Sequence, residues 1–82
     1  MPTNTKMTEN IKQLFSKMND DTRQEALDLL MTEFQLKSPK FIKNNWIIGG
    51  RIPEEHQERI VHIFQNLLRV QLFKINEIKV NL

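Results

Sequence analysis

An all-α fold of four helices is predicted for this 82-residue chain. Three observations predict it. Apolar residues recur at i, i+3, i+4 and i+7 in three segments. Ser-Pro and Ile-Pro pairs sit where helices would start, and a Gly pair sits where one would end. The chain has no Cys, so no disulfide framework or thiolate zinc site substitutes for a packed core. The length corresponds to one domain, burying roughly 60% of its unfolded surface. Such a thin core favours dimerisation and disfavours a deep enclosed site.

Residues 1–7 are polar and read as a disordered tail, with no apolar h-region of a signal peptide. The helical domain is expected over about 8–72. Its first helix runs from about 8 to 18, with Ile11, Leu14, Phe15 and Met18 on one stripe and Thr8 as cap. Asn19-Asp20-Asp21 interrupts the pattern. The second helix runs from about 22 to 34. Thr22 and Glu25 fit a capping box, with Asp21 as a rival cap. Leu27, Leu30, Met31 and Phe34 form its stripe, which Ala26 and Leu29 widen.

Gln35-Leu36-Lys37-Ser38 is a connector. Ser38 then caps a third helix over 39–48, Pro39 takes its first position, and Gly49 or Gly50 ends it in a left-handed conformation. Ile42 and Trp46 make its inward pair, flanked by Phe41. At about 100° per residue, Lys40, Lys43, Asn44 and Ile47 then point outward. Pro53 opens the fourth helix, over about 53–70, with Glu54 and Glu55 in the first turn as the helix dipole favours. Ile60, Ile63, Phe64 and Leu67 give its stripe, with Val61, Leu68 and Val70 beside it. The helix is expected to end between Leu68 and Leu72. Residues 73–82 change period: Ile78, Val80 and Leu82 alternate with polar residues, a short β-strand pattern. With no other strand in view, its expected partner is the same strand of a second copy, making Ile78, Val80 and Leu82 dimerisation residues.

Catalysis finds little support. His56 and His62 stand six apart on one helix and face different sides. No HExxH, phosphate loop or nucleophile motif occurs. Glu54, Glu55 and Glu58 read as dipole compensation and surface charge. The expectation is therefore no enzyme, no metal and no cofactor. No uninterrupted apolar run exceeds three residues (Trp46-Ile47-Ile48), far short of a membrane span, and a cytoplasmic location is expected.

Charge is more informative. The net charge is +2, but residues 1–36 carry four cations against six anions, and residues 37–82 carry eight against four. From Lys37 to Arg51 there are four cations and no anion. A local basic stripe is suited to a polyanionic partner. Lys40 and Lys43 are residue types that can bond guanine acceptors or phosphate, and Asn44 one that can pair two-pronged with adenine. Ile47 offers a contact to a thymine methyl or to a protein. Lys37, Ser38 and Arg51 flank the helix where backbone phosphates would lie.

The stretch Trp46-Ile-Ile-Gly49-Gly50-Arg51-Ile52-Pro53 resembles the phage-type helix-turn-helix regulators, the Cro-like proteins and phage repressor domains. These often carry a Trp late in the recognition helix, then a Gly four residues on, a basic residue, and Ile-Pro opening the next helix. The likeness is loose over 22–68 and close over 46–53. The connector departs from it, since Phe34-Gln35-Leu36-Lys37 lacks the family's small residue and Gly. The resemblance implies a helix-turn-helix-like domain acting as a homodimeric transcriptional regulator on duplex DNA, with the 39–48 helix in the major groove. The rival expectation is a phage-encoded inhibitor of a host defence system, of anti-CRISPR type, that turns the same basic surface to a protein or RNA partner. A third is a plain helical dimerisation module.

Overall fold

The described residues form four helical elements, and α4 is the spine on which α1 and α2 both pack. The computed structural model describes the backbone of residues 5–80 and the side chains of residues 6–74. Helix α1 spans Thr5–Ser16, α2 spans Asp20–Phe34 and α4 spans Glu54–Val80. Between them, α3 (Pro39–Phe41) continues without a break into a π-helical segment, Ile42–Ile48. The combined 39–48 helix packs on α1 and α2. Among the described residues there is no strand.

The core follows the predicted stripes. Ile11, Phe15 and Met18 of the first stripe meet Ala26, Leu27 and Leu30 of α2 and Ile60, Phe64 and Leu67 of α4. Phe15 and Phe64 stack at 6.0 Å between ring centroids. Among the described side chains of α4 the buried positions are Gln57, Ile60, Phe64, Leu67 and Gln71. Their alternating three- and four-residue spacing is one narrow seam of a long helix.

Two of those seam positions are polar, and each is put to use. Gln71 accepts from the Asn19 N–H at 2.8 Å and donates to the Lys17 carbonyl at 3.3 Å. It thereby satisfies both sides of the α1–α2 turn, whose backbone has left its helices and their regular partners. Gln57 donates to the Ile52 carbonyl at 2.9 Å, and its own side-chain oxygen is buried without a hydrogen bond. From the other side, the Arg23 guanidinium bonds the Phe15 and Ser16 carbonyls at 3.1 and 2.9 Å while lying over the Phe15 ring. A cation on the last carbonyls of α1 complements the negative end of that helix.

Several boundaries differ from expectation. Helix α1 begins at Thr5, so Thr8 lies inside it rather than capping it, and residues 5–7 are helical rather than a disordered tail. Helix α2 is capped by Asn19, whose side chain accepts from the Thr22 N–H at 2.8 Å. Thr22 is consequently the third residue of the helix and buried, with Asp20 and Asp21 in the first turn as the dipole favours. The larger correction concerns the C-terminus. Helix α4 runs on to Val80, so residues 73–80 are helical and do not form the expected strand. Ile78 and Val80 therefore lie on a helix, Leu82 falls outside the described residues, and strand pairing through the three has no basis. The reason is continuity. Leu72, Phe73, Ile75 and Ile78 prolong an uninterrupted helix with no Gly or Pro to stop it.

Helix α2 ends on Gln35, at φ 55° and ψ 46°. The Leu36 N–H turns back to the Met31 carbonyl at 2.9 Å, closing a Schellman-type cap whose left-handed residue is usually Gly. A Gln there bears a steric cost of about 1 kcal/mol. Gln35→Gly should therefore raise stability by up to ~1 kcal/mol, visible as a rise of a few degrees in Tm. Gln71→Ala should lower it by about 1–2 kcal/mol, read from urea unfolding, because the turn loses a donor and an acceptor at once.

Candidate nucleic-acid interface

The 39–48 helix starts as the sequence leads one to expect. The Ser38 hydroxyl accepts from the Phe41 N–H at 3.1 Å, and Pro39 supplies a preset φ in the first turn. Ser38 thus serves first as a helix cap, with its own O–H still able to donate outward.

From Ile42 the hydrogen bonding widens. The Gly49 N–H reaches the Asn44 carbonyl, five residues back, at 3.0 Å. The Arg51 N–H reaches the Asn45 carbonyl, six back, at 3.0 Å. A π-helical turn of this kind is rare in regular helices and concentrates at functional sites. Its cause here is packing. In an α-helix a residue five positions after Ile42 turns to the far side, about 140° away. With i→i+5 bonding it returns to the same side. Ile42, Trp46 and Ile47 are then all buried together, and Ile47 is 1% exposed. The outward position expected for Ile47 is thereby corrected. It is a core residue and offers nothing to a partner. Ile48 is exposed in its stead, at 52%.

Both glycines are needed at this closure. A Cβ on Gly49 would come within 2.9 Å of the Asn44 and Asn45 carbonyl oxygens. Gly50 has φ 68°, in the left-handed region. Beyond it, Ile52 re-enters the core and α4 begins at Glu54. Three rings lock the junction: Phe34 lies 5.8 Å from Trp46 and 4.2 Å from His56, and Trp46 lies 6.0 Å from His56. Trp46 is an anchor joining the ends of α2, the π segment and α4.

What this leaves at the surface is mostly cationic and polar. Lys37, Ser38, Lys40, Lys43, Asn44 and Arg51 are all exposed. Asn45 is exposed as well, a second amide that a strict α-helical register overlooks. Phe41, at 45% exposure, and Ile48 stand among the cations. No acidic residue interrupts the chain between Glu33 and Glu54. The face is thus a single-sign surface with two amides, mounted on a helix whose other side is fixed in the core. Among the described residues there is no cluster of His, Asp or Glu that could hold a metal ion. No described helix is long and apolar enough to cross a membrane. No family model, curated protein or solved structure matches this chain.

The π register separates two adjacent isoleucines sharply. Ile47→Asp should cost more than ~3 kcal/mol, because it buries an unpaired carboxylate. Ile48→Asp should change stability by no more than ~0.5 kcal/mol. Urea unfolding followed by circular dichroism measures both; an α-helical register, which turns both side chains away from Ile42, would make the two costs similarly small.

Proposed function

We propose that this chain is a small DNA-binding regulator of phage or mobile-element type, which applies the 39–48 helix to the major groove of duplex DNA. The observation that carries the reading is the exposed set Lys40, Lys43, Asn44 and Asn45 on a helix anchored by Ile42, Trp46 and Ile47. Flexible cations supply phosphate attraction, whereas amides on a rigid helix supply base recognition. Lys37, Ser38 and Arg51 sit at the two ends of that helix and suit the flanking backbone. The Trp-Gly-Arg-Ile-Pro likeness supports the same reading.

A second reading has its own support. Phe41 and Ile48 expose apolar surface within the basic face, as is common where a protein partner docks. An inhibitor of a host defence system would use such a face on a protein or on RNA.

The test is binding to duplex DNA across a salt series, by fluorescence anisotropy. A specific reader binds a selected duplex with Kd on the order of 10⁻⁸ M or tighter at physiological salt. Lys40→Ala/Lys43→Ala should lower the slope of log K against log salt by about two, one for each phosphate no longer neutralised. Asn44→Ala should cost about 1–3 kcal/mol, confined to one base pair. If no duplex binds more tightly than about 1 μM, as in non-specific attraction, the regulator reading falls. Capture of a protein or an RNA on the intact basic face, abolished in the double-lysine variant, would then establish the inhibitor reading.

A further inference from the structure

A second surface lies away from the basic helix. Beyond Gln71, α4 runs on for nine more residues, about 13 Å, past the α1–α2 turn that Gln71 clamps. On this stretch Leu72 and Phe73 are uncovered, Phe73 at 68% exposure. Farther back on α4, a groove of about 330 Å³ opens against α2. Leu29, Ile63 and Leu67 line it, and the Glu33–Arg59 ion pair, at 3.2 Å, stands beside them. A cavity of ~150 Å³ is enough to hold a benzene ring, so this groove admits a phenyl group with room to spare.

The spacing of α4 links the two features. Arg59, Ile63, Asn66, Val70, Phe73 and Glu77 recur at steps of four, three, four, three and four. That is one heptad-like row on one face of the helix. Its order of steps is the same read in either direction. A second copy of α4 laid antiparallel therefore sets 63 against 73, 66 against 70 and 59 against 77. Apolar meets apolar at 63 and 73. Residue 59 is Arg and residue 77 is Glu, so the register brings positions of opposite charge to the same level. A parallel copy would instead set Phe73 on Phe73 and Arg59 on Arg59, and leave the groove at Ile63 unfilled.

We infer that two copies of this chain pair through antiparallel α4 helices about a two-fold axis at Leu68, each seating its Phe73 in the α2–α4 groove of the other. The contact is isologous, so it closes at two copies. Its self-complementary charge order selects a second copy over an unrelated partner. It is independent of the basic face, and the assay contains no nucleic acid, so neither reading falls with the other.

The test is the mass of the full chain by multi-angle light scattering from about 1 to 100 μM, a range set by ordinary dimer affinities. The parent should be dimeric at the upper end. Phe73→Glu should keep its helical circular dichroism, since the side chain is exposed, and raise the dimer Kd at least about 30-fold. Glu77→Arg, which sets like charges at 59 and 77 and leaves the Glu33–Arg59 pair intact, should weaken the dimer about tenfold. Because the chain has no Cys, Asn66→Cys mixed with Val70→Cys should oxidise to a cross-linked heterodimer. A monomeric parent at 100 μM, or a dimer indifferent to Phe73→Glu or to Glu77→Arg, overturns the inference.

Discussion

The seating of Ile42, Trp46 and Ile47 in the core is the constraint on which this structure turns. Two adjacent side chains, Trp46 and Ile47, go to the same side as Ile42, and an α-helical register does not allow this without a change of hydrogen bonding. The backbone yields, opening to i→i+5 bonds, because burying a whole Ile contributes about 1.5–3 kcal/mol against the milder cost of a wider turn. From that exchange follow the crowding at Gly49, the left-handed Gly50, and the particular run of exposed residues that remain on the opposite side. The basic face is what is left over once the apolar side is satisfied.

The rest of the molecule is held by polar contacts at helix ends, placed where backbone groups would otherwise lack partners. Asn19 closes the start of α2, Arg23 closes the end of α1, and Gln71 reaches in from α4 to the turn between them. Arg23 and Gln71 each join two elements rather than one. That arrangement suits a small domain, in which apolar burial alone leaves little margin. It also explains why α4 carries Gln71 on its buried seam: an apolar residue there would cover the turn and leave its backbone unsatisfied.

The helices were legible in the sequence where periodicity was long and the punctuation local. Ser38-Pro39 and Ile52-Pro53 mark helix starts through steric facts about proline, and these are read correctly from neighbours alone. Caps chosen among several competent residues were less legible. Thr8, Thr22 and Asn19 all suit a cap chemically, and which one serves depends on where the preceding chain arrives. The strand expected over 73–82 fails for a related reason. Alternation over a few residues is weak against an upstream helix that needs no new nucleus to continue.

Composition and spacing alone settle that this chain is helical, that Trp46 is inward, and that the stretch from Lys37 to Arg51 is cationic and free of acids. These depend on residue type and on interactions within a few positions, which the order of residues encodes directly. Only the packed structure decides that Ile47 is core and Asn45 surface, and that α4 runs past its clamp. It alone brings Leu29 and Ile63, on different helices, to one groove. Each of these depends on the phase of one helix against others. That phase is set by side chains far apart in the chain competing for the same buried volume.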